Sequence, residues 1–349
     1  MKFKLFLDSK VVCVTDKYVL SYKLGSLYLY AVDGKLLQKK KIAGGFNRIG
    51  LLERLMRLGP RCAVPVDKDH FLISFNGRIL NYSILNNSFV IEHNYDRGMK
   101  NPLSFCLHNN DVGEKEILYG EYIWNIDNGP VAIYKRKGRR WNKVYEFPSN
   151  TITHIHNIIY DKYRKKYIIL TGDDDKGSGL WYADLDFMKV EPLLIGSQNY
   201  RSCIAFPVDD GVIYATDTPI ENNHLYKVIL RDKEKPKVDQ ICELPGPCIY
   251  GSQIGENYYL STTVEPDSML PTWKYRITRK LGKGVKDYYS HLFRISVNCE
   301  VSELGTFKKD ALPIWLFQFG NILFPHNDTD RIYITTQSVK PKSGVTLRI

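Results

Sequence analysis

The sequence predicts an all-β protein that folds as a single β-propeller, with seven blades of four antiparallel strands across residues 1–349. Apolar and polar residues alternate with a period of two along most of the chain, as they do in strands with one buried face. Tyrosine, present 24 times, and β-branched residues are both frequent, which favours strands over helices. Strand patterns also recur roughly every 50 residues, a repeat length that is typical of propeller blades.

Each repeat contains a strongly apolar strand with one strand before it and one or two after it. These central strands begin at Tyr18, Phe71, Ile117, Tyr167, Val212, Tyr258 and Ile322. We expect the strand before each of them to lie next to the propeller axis. From the second repeat onward, these axial strands read CAVPV, LSFCL, HIHNIIY, SCIAFP, PCIYGSQ and IWLFQF. The first repeat has no clear axial strand and could be closed by the C-terminal segment, so six or eight blades, or two β-sandwiches, are the alternatives.

Two segments depart from the strand pattern. Helical periodicity is confined to NRIGLLERLMRLG, from Asn47 to Gly59, which predicts a short helix. The connection at 265–289 is long and places basic residues between aromatic ones, namely Lys274, Arg276, Arg279, Lys280, Lys283 and Lys286. Loops of this length in a compact domain are usually functional or disordered. We therefore expect either a basic lid over a pocket or a mobile surface loop.

Composition favours an intracellular protein. No apolar run approaches the ~20 residues that a membrane-spanning helix needs, so we expect no transmembrane segment. The N-terminus, MKFKLFLDSK, lacks the apolar core and the cleavage site of a signal peptide. The 7 cysteines are scattered and form no Cys-x-x-Cys motif, which favours free thiols over disulfides. These features predict a reduced, cytoplasmic protein.

The chain is basic, with a formal net charge of +11 at pH 7. Its lysines and arginines are dispersed, and no helix-turn-helix, zinc-finger or RNA-binding signature accompanies them. We therefore expect no nucleic-acid partner. An anionic substrate, an acidic membrane surface and a plainly solvated basic surface are all compatible with this charge.

Polar residues gather at those strand ends that a propeller brings to one face. The connections between blades emerge on the same face as the connections between second and third strands. The starts of axial strands carry Arg61, Asn101, His154, His156, Tyr200 and Arg201. The ends of second strands carry Glu121, Asp173 to Asp175, Asp217, Glu265 and His326, and His224 stands in a following turn. The pattern predicts a polar site around the axis, although Asp173 to Asp175, Asp217 and His224 are also typical turn residues.

His154 and His156 form a His-x-His pair whose side chains should point to the same side of a strand. Imidazoles of this kind, together with a carboxylate, are suitable ligands for a divalent metal ion. The candidate ligands are His154, His156, His224 and His326. Such an ion would serve either as a structural element or as a Lewis acid.

Several segments resemble those of sialidase-like β-propeller proteins of the BNR/Asp-box type, particularly members encoded among bacterial polysaccharide-processing genes. The segments are GPRCAVP, YGEY, HIHNIIYDKY, TGDDD, GSQNYR and TDTPIENNHLY, and they fall between residues 50 and 265. The resemblance implies a propeller fold and a carbohydrate-related role. This superfamily contains hydrolases, lyases and non-catalytic proteins, so the resemblance leaves the activity open.

The resemblance and the polar residues together predict an enzyme that acts on an acidic polysaccharide or glycan. In a lyase, His154 or His156 would take the proton next to the uronate carboxylate. Tyr200 would protonate the leaving oxygen and Arg201 would neutralise the developing enolate, a His, Tyr and Arg set that resembles that of propeller-type polysaccharide lyases. The predicted catalytic residues are His154, His156, Tyr200, Arg201 and Glu121, and the predicted substrate-binding residues are Arg61, Asp174, Asp217 and Glu265.

Two further functions are compatible with the same residues. A glycoside hydrolase would need two carboxylates on either side of the scissile bond. The candidates for such a pair are Glu121, Asp174, Asp217 and Glu265. A non-catalytic propeller that binds glycans or proteins is the alternative to an enzyme, with Trp124, Trp181 and Trp273 as surfaces for stacking sugar rings.

Overall fold

The computed structural model describes residues 3–231 and 235–349. Over these residues the chain forms seven antiparallel sheets that make up the seven blades of a β-propeller, which confirms the predicted fold class. Within the described ranges, no helix is both long and apolar enough to cross a membrane.

The first three blades follow the predicted repeats, with strands in chain order from the axis to the rim. Blade 1 contains Lys10–Val14, Tyr18–Lys23, Ser26–Ala31 and Leu36–Lys41. Blade 2 contains Pro60–Pro65, His70–Phe75, Arg78–Ser83 and Ser88–Asn94. Blade 3 contains Cys106–Asn109, Lys115–Gly120, Val131–Lys137 and Arg140–Phe147. The first repeat therefore does have an axial strand, which begins at Lys10.

The next three blades have the same order from axis to rim. Blade 4 contains His154–Asp161, Lys166–Gly172, Gly179–Ala183 and Val190–Ile195. Blade 5 contains Ser202–Val208, Gly211–Thr216, Asn223–Ile229 and Lys237–Leu244. Blade 6 contains Tyr250–Ile254, Asn257–Ser261, Tyr289–Ile295 and Val301–Lys308.

Blade 7 closes the ring by combining both ends of the chain. It contains Asn321–Leu323, Tyr333–Gln337, Thr346–Arg348 and, as its outer strand, the N-terminal segment Lys4–Leu7. Lys4 pairs with Arg348 and Leu5 with Leu347, so the first strand is bound to the last one. The short strand His326–Asn327 instead adds in parallel to the axial strand of blade 1.

The prediction that IWLFQF forms the axial strand of the last blade is wrong. This segment lies in the connection between blades 6 and 7, before the strand Asn321–Leu323. The carbonyls of Trp315 and Phe317 accept hydrogen bonds from Arg57 and Arg54. The apolar run therefore packs on the segment between blades 1 and 2, and every later strand of blade 7 shifts by one position relative to the prediction.

Helices are short and lie outside the blades. A 3₁₀ turn, Gly45–Arg48, and an α-helix, Gly50–Leu55, occupy the segment where the sequence predicts a helix. A second α-helix, Thr272–Ile277, interrupts the long connection of blade 6, and a 3₁₀ turn, Gln198–Tyr200, precedes blade 5.

The core lies between neighbouring blades. Residues 167–170 of blade 4 are fully buried on both faces of the sheet, which explains why such strands are continuous apolar runs in the sequence. Tyr167 and Phe187 stack with ring centroids 5.1 Å apart. They belong to a cluster that also includes Phe147 of blade 3, so aromatic side chains join the two blades.

Candidate functional site

The starts of the axial strands and the ends of the second strands meet at one end of the axis, which we call the hub. Four axial strands have a β-bulge close to this end, at Val12, at Arg61–Cys62, at His156 and at Cys203. Bulges change the direction of a side chain without ending a strand. In this fold they direct functional groups of blades 2, 4 and 5 towards the axis.

The two predicted histidines lie side by side, with ring centroids 4.9 Å apart. His154 Nδ1 lies 3.2 Å from the carbonyl oxygen of Ile123, and His156 Nδ1 lies 2.9 Å from that of Ser202. A carbonyl oxygen can only accept, so each Nδ1 carries the proton and donates it. The backbone therefore fixes the orientation of both rings, and a metal ion would take the place of a proton on each Nε2.

Both Nε2 atoms face Asp173, at 3.5 Å from His154 to Oδ2 and 3.2 Å from His156 to Oδ1. Gly172, the residue before Asp173, makes this approach possible. A Cβ atom at Gly172 would lie 2.5 Å from Cε1 of the His156 ring, so a larger residue there would displace the histidine.

Arg201 holds the same carboxylate. Its Nη2 lies 2.9 Å from Oδ1 of Asp173, and its Nη1 donates to the backbone carbonyl of that residue at 3.1 Å. Burial alone would raise the pKa of Asp173, but the charges of His154 and Arg201 outweigh it and hold that pKa well below the usual range. Asp173 is therefore a stable anion at neutral pH.

A second pair of carboxylates lies on the other side of Arg201. Asp217 Oδ2 is 3.8 Å from Arg201 Nη2 and accepts a hydrogen bond from the Cys203 thiol at 3.1 Å. Glu265 accepts a hydrogen bond from Thr263 at 2.8 Å. Burial, followed by the charge of Asp217, raises the pKa of Glu265 to about 8. Glu265 is thus mostly protonated at neutral pH, beside an aspartate that faces an arginine.

Blade 2 supplies a cation of a different kind. Arg61 Nη2 donates to the hydroxyl of Tyr250 at 3.2 Å, and its guanidinium lies 5.5 Å from the ring centroid of Tyr122. Within residues 3–231 and 235–349, no carboxylate lies within ion-pair distance of Arg61. The Tyr122 ring is 4.5 Å from the ring of His154, so this tyrosine lies between the arginine and the histidine pair.

The residues His154, His156 and Asp173 fit a divalent metal ion. Their ligand atoms all lie within 4.8 Å of one another. His154 Nε2 is buried and has no hydrogen-bond partner among the described atoms. Metal-bound histidines commonly donate their second N–H to a backbone carbonyl, as both histidines do here. A second group, His156, Cys203 and Asp217, shares one histidine with the first.

Two predicted acids are displaced from the hub by one residue. Glu121 Oε2 accepts the backbone N–H of Ala132 at 2.8 Å and lies 3.6 Å from Arg97, whereas its neighbour Tyr122 faces the hub. Burial raises the pKa of Glu121, opposed by the Ala132 hydrogen bond and the charge of Arg97. Side chains alternate along an extended chain, so consecutive residues face opposite ways.

The same displacement occurs in blade 4. Asp174 accepts hydrogen bonds from Thr153 Oγ1 at 3.0 Å and from the backbone N–H of Gly177 at 3.2 Å. It therefore stabilises its own turn, while Asp173 before it contacts the histidines.

Three other predicted residues lie apart from the histidine pair. Tyr200 packs against the cluster that contains Tyr214 and Tyr226, between blades 4 and 5. His224 lies on the third strand of blade 5, with its ring 5.5 Å from that of Tyr226. His326 pairs with Cys13 near the opposite end of the axis, and its Nε2 lies 2.8 Å from Asp328.

The long connection of blade 6 covers part of the hub together with the connection between blades 6 and 7 and the helix between blades 1 and 2. Ile314 donates its N–H to the carbonyl of Thr278 at 3.1 Å, and Arg54 Nη2 lies 2.6 Å from Asp310. Burial, followed by the charge of Glu265, raises the pKa of Tyr275 in this connection. The connection thus brings an aromatic hydroxyl close to the carboxylate pair.

The three tryptophans proposed for stacking differ in their surroundings. Trp124 is 87% exposed and Trp273 is 63% exposed, and both lie in connections on the hub face. Trp181 packs against the core cluster of blades 3 and 4 and donates to Thr171 at 3.1 Å. Only the first two are therefore available to a ligand on this face.

The fold and the hub define a seven-bladed β-propeller with a charged axial site. No protein-family model and no curated protein sequence matches the chain. Among solved structures it is similar to an oligogalacturonate lyase from Vibrio parahaemolyticus, with a TM-score of 0.60, 10% identity, and coverage of 99% of this chain and 91% of that one.

It is also similar to the β-propeller domain of Swd1 from Myceliophteria thermophila, with a TM-score of 0.56 and 8% identity over 100% of this chain and 98% of that one. Identities this low show a shared propeller fold alone. The propeller part of the predicted resemblance is therefore confirmed, and neither sequence comparison supports its sialidase-like part.

Proposed function

We propose that the protein is a carbohydrate-active enzyme that cleaves an acidic polysaccharide or glycan at the hub, by a lyase reaction. One observation carries the proposal. The ligand set of His154, His156 and Asp173 is separated from the cation Arg61 by a single aromatic ring, that of Tyr122. A divalent ion in that ligand set would place a second positive charge close to Arg61, which would suit a substrate with a carboxylate beside the bond that breaks.

The residues of the hub provide the groups that a β-elimination needs. Arg61 and the hydroxyl of Tyr250 would bind the uronate carboxylate. Asp217 Oδ1, which is buried and has no hydrogen-bond partner among the described atoms, would accept the proton from the carbon next to that carboxylate. A bound divalent ion, held by the two histidines and Asp173, would supply positive charge for the developing enolate.

Glu265 would complete the reaction as the acid. Its raised pKa of about 8 keeps a proton on it at neutral pH. That proton would pass to the glycosidic oxygen as the carbon–oxygen bond breaks and the carbon–carbon double bond forms. A carboxyl group that keeps its proton at neutral pH is suited to act as a general acid.

This assignment revises two of the roles expected from sequence. Arg201 is tied to Asp173, so it positions that carboxylate, and Arg61 remains as the free guanidinium for the substrate. Tyr122, whose ring contacts that of His154, replaces Tyr200 as the tyrosine of the site.

A glycoside hydrolase is the second candidate, favoured by the neighbouring Asp217 and Glu265. In that reaction the two groups would act on opposite sides of the bond, and water would be consumed. The cytoplasmic location remains part of the proposal and is supported by the free state of all 7 cysteines. Cell fractionation with an antibody against the protein tests that location.

The deciding assay uses chelator-treated protein with Mn²⁺ or Mg²⁺ restored, and oligogalacturonate as the first of several acidic oligosaccharides. A lyase produces ultraviolet-absorbing unsaturated uronates, a hydrolase produces reducing ends without that absorbance, and a binding protein produces neither. We expect His156→Ala to lower lyase turnover by at least about 100-fold. The matched control, His70→Ala, removes a ring that pairs with Asp67 and does not line the hub, and it should stay within roughly twofold of the parent.

Equal activity in the two variants would contradict the proposal. Thermal unfolding of both variants shows whether His156→Ala is folded, and a second substitution, His156→Asn, preserves a polar group at the position. If His156→Ala is unfolded, the folded His156→Asn variant provides the test. Loss of turnover in His156→Asn supports the proposal, and retained turnover contradicts it.

A further inference from the structure

A central channel of about 350 Å³ runs along the axis next to the hub. Axial strands of several blades line it, and the lining includes Lys10, Arg61, Ser104, Tyr250 and Ser252. It shares Arg61, Cys203 and Tyr250 with the hub, so the two are adjacent. A volume of this size lies at the small end of natural ligand pockets, which start at about 300 Å³.

The channel lining is positively charged. All of its lining residues are described, and they include two cations, Lys10 and Arg61, and no aspartate or glutamate. Lys10 Nζ donates to the carbonyl oxygen of Pro60 at 2.8 Å, and neither cation forms an ion pair with a described carboxylate. Arg61 Nε is buried and has no hydrogen-bond partner among the described atoms. Two cations in a confined space without a counter-charge favour the entry of an anion.

The charged surroundings of Lys10 support this view. Burial, followed by the charge of Arg61, lowers the pKa of Lys10 to about 8. Glu53 of the helix Gly50–Leu55 acts on Lys10 with the opposite sign, but burial raises the pKa of Glu53 itself. An anion between Lys10 and Arg61 would relieve the repulsion that the two cations exert on each other.

We propose that the channel is an anion-binding subsite in which Lys10 and Arg61 hold the carboxylate of one terminal sugar acid, so that the protein works on chain ends. An axial channel between inner strands admits the end of a chain, whereas a polymer in mid-length can only cross the face. The hydroxyls of Ser104, Ser252 and Tyr250 offer hydrogen bonds to sugar hydroxyls. The identity of the ligand rests on the proposed function, but the binding of an anion does not.

Isothermal titration calorimetry with galacturonate, galactose and inorganic phosphate tests the subsite directly. We expect galacturonate to bind, neutral galactose to give no signal, and Lys10→Met to weaken galacturonate binding at least about tenfold. Lys115→Met is the matched control. Lys10 donates to the carbonyl of Pro60 and Lys115 donates to that of Pro65, at opposite ends of the strand Pro60–Pro65, but Lys115 does not line the channel. Its affinity should equal that of the parent.

Several outcomes would overturn the inference. Equal weakening by both lysine variants would show a general charge effect, and phosphate binding without galacturonate binding would exclude a sugar acid. Lys10 is half-buried and its charge has no carboxylate partner among the described residues, so Lys10→Met should stay folded, and thermal unfolding checks this.

The subsite and the proposed function can fail separately. Lys10-dependent galacturonate binding without any turnover on oligogalacturonates refutes the lyase and keeps the subsite. Turnover whose product lengths are the same in the parent and in Lys10→Met, and show internal cleavage, refutes the subsite and keeps the lyase.

Discussion

The two halves of the hub differ in how their charges are compensated. In blades 4 to 6, the chain after the second strand supplies Asp173, Asp217 and Glu265, and these acids surround Arg201. In blades 1 and 2, the axial strands supply Lys10 and Arg61, and no described carboxylate pairs with either of them. The charges of the first half are compensated within the protein, whereas the two cations of the second half have no counter-charge among the described residues. The comparison therefore separates residues that hold the site together from residues that we propose to bind an anion.

The largest expected difference between the halves is in stability. Removing Arg201 leaves the buried Asp217 and Glu265, and Asp173, whose side chain is 46% exposed, without their shared cation. We expect Arg201→Met to lower the free energy of unfolding by about 2–4 kcal/mol, less than for a fully buried ion pair because water screens Asp173. Urea denaturation followed by tryptophan fluorescence gives the value.

Arg61→Met is the matched control from the other half of the hub. It removes a guanidinium that repels Lys10 and has no carboxylate partner, so the free energy of unfolding should change by less than about 1 kcal/mol. Anion binding should nevertheless be lost. Similar destabilisation by both substitutions would erase the distinction between the two halves.

A second, smaller difference should appear in the pH dependence of stability. The pKa of Glu265 in the folded protein is about 8, raised first by burial and then by the charge of Asp217, from an ordinary value of 4.5. The folded state therefore holds this proton more tightly than the unfolded state. The resulting stability is fully present below about pH 4.5 and is lost as the pH rises through about 8.

The substitution Glu265→Gln removes this titration. Between about pH 6.5 and about pH 9 the parent protein should lose about 2 kcal/mol more of its free energy of unfolding than the variant does. Glu256→Gln, at an exposed position, is the control and should follow the parent. Parallel stability curves for the parent and Glu265→Gln would show that Glu265 is already ionised in the folded protein.

The architecture could be predicted from the sequence because it depends on repetition. Period-two alternation identifies strands, and the repeat length identifies blades, so seven independent copies reinforce one prediction. The last blade lacks this support, since the apolar segment at 314–319 has the composition of a strand but packs on Arg54 and Arg57. Composition alone does not distinguish an apolar strand from an apolar lid.

The sequence predicts which strand ends form the site, but it does not predict which side chain at each end faces the axis. His154 and His156 share a side as expected, because two residues apart on a strand is a strong constraint. Consecutive side chains face opposite ways, and the sequence alone does not show which of two neighbours past the last ladder pair faces the axis. In the structure these are Tyr122 and Asp173, and their neighbours Glu121 and Asp174 face away. One signal could have identified Asp173, because it directly follows Gly172, the residue that ends the strand and pairs with His154.

The smallest expected effect tests this one-residue displacement and follows from the proposed function. Tyr122 contacts His154 and Arg61 through its ring, so loss of the ring in Tyr122→Leu should lower kcat on the acidic oligosaccharide roughly tenfold, the equivalent of about 1.4 kcal/mol. Tyr200→Leu is the matched control, because that ring packs between blades 4 and 5 with Tyr214 and Tyr226, and its kcat should stay within roughly twofold of the parent. Steady-state kinetics on the same substrate measures both variants. The reverse ranking would return the role of the site tyrosine to Tyr200, and the half of the hub that contacts the substrate would then have to extend towards blade 5.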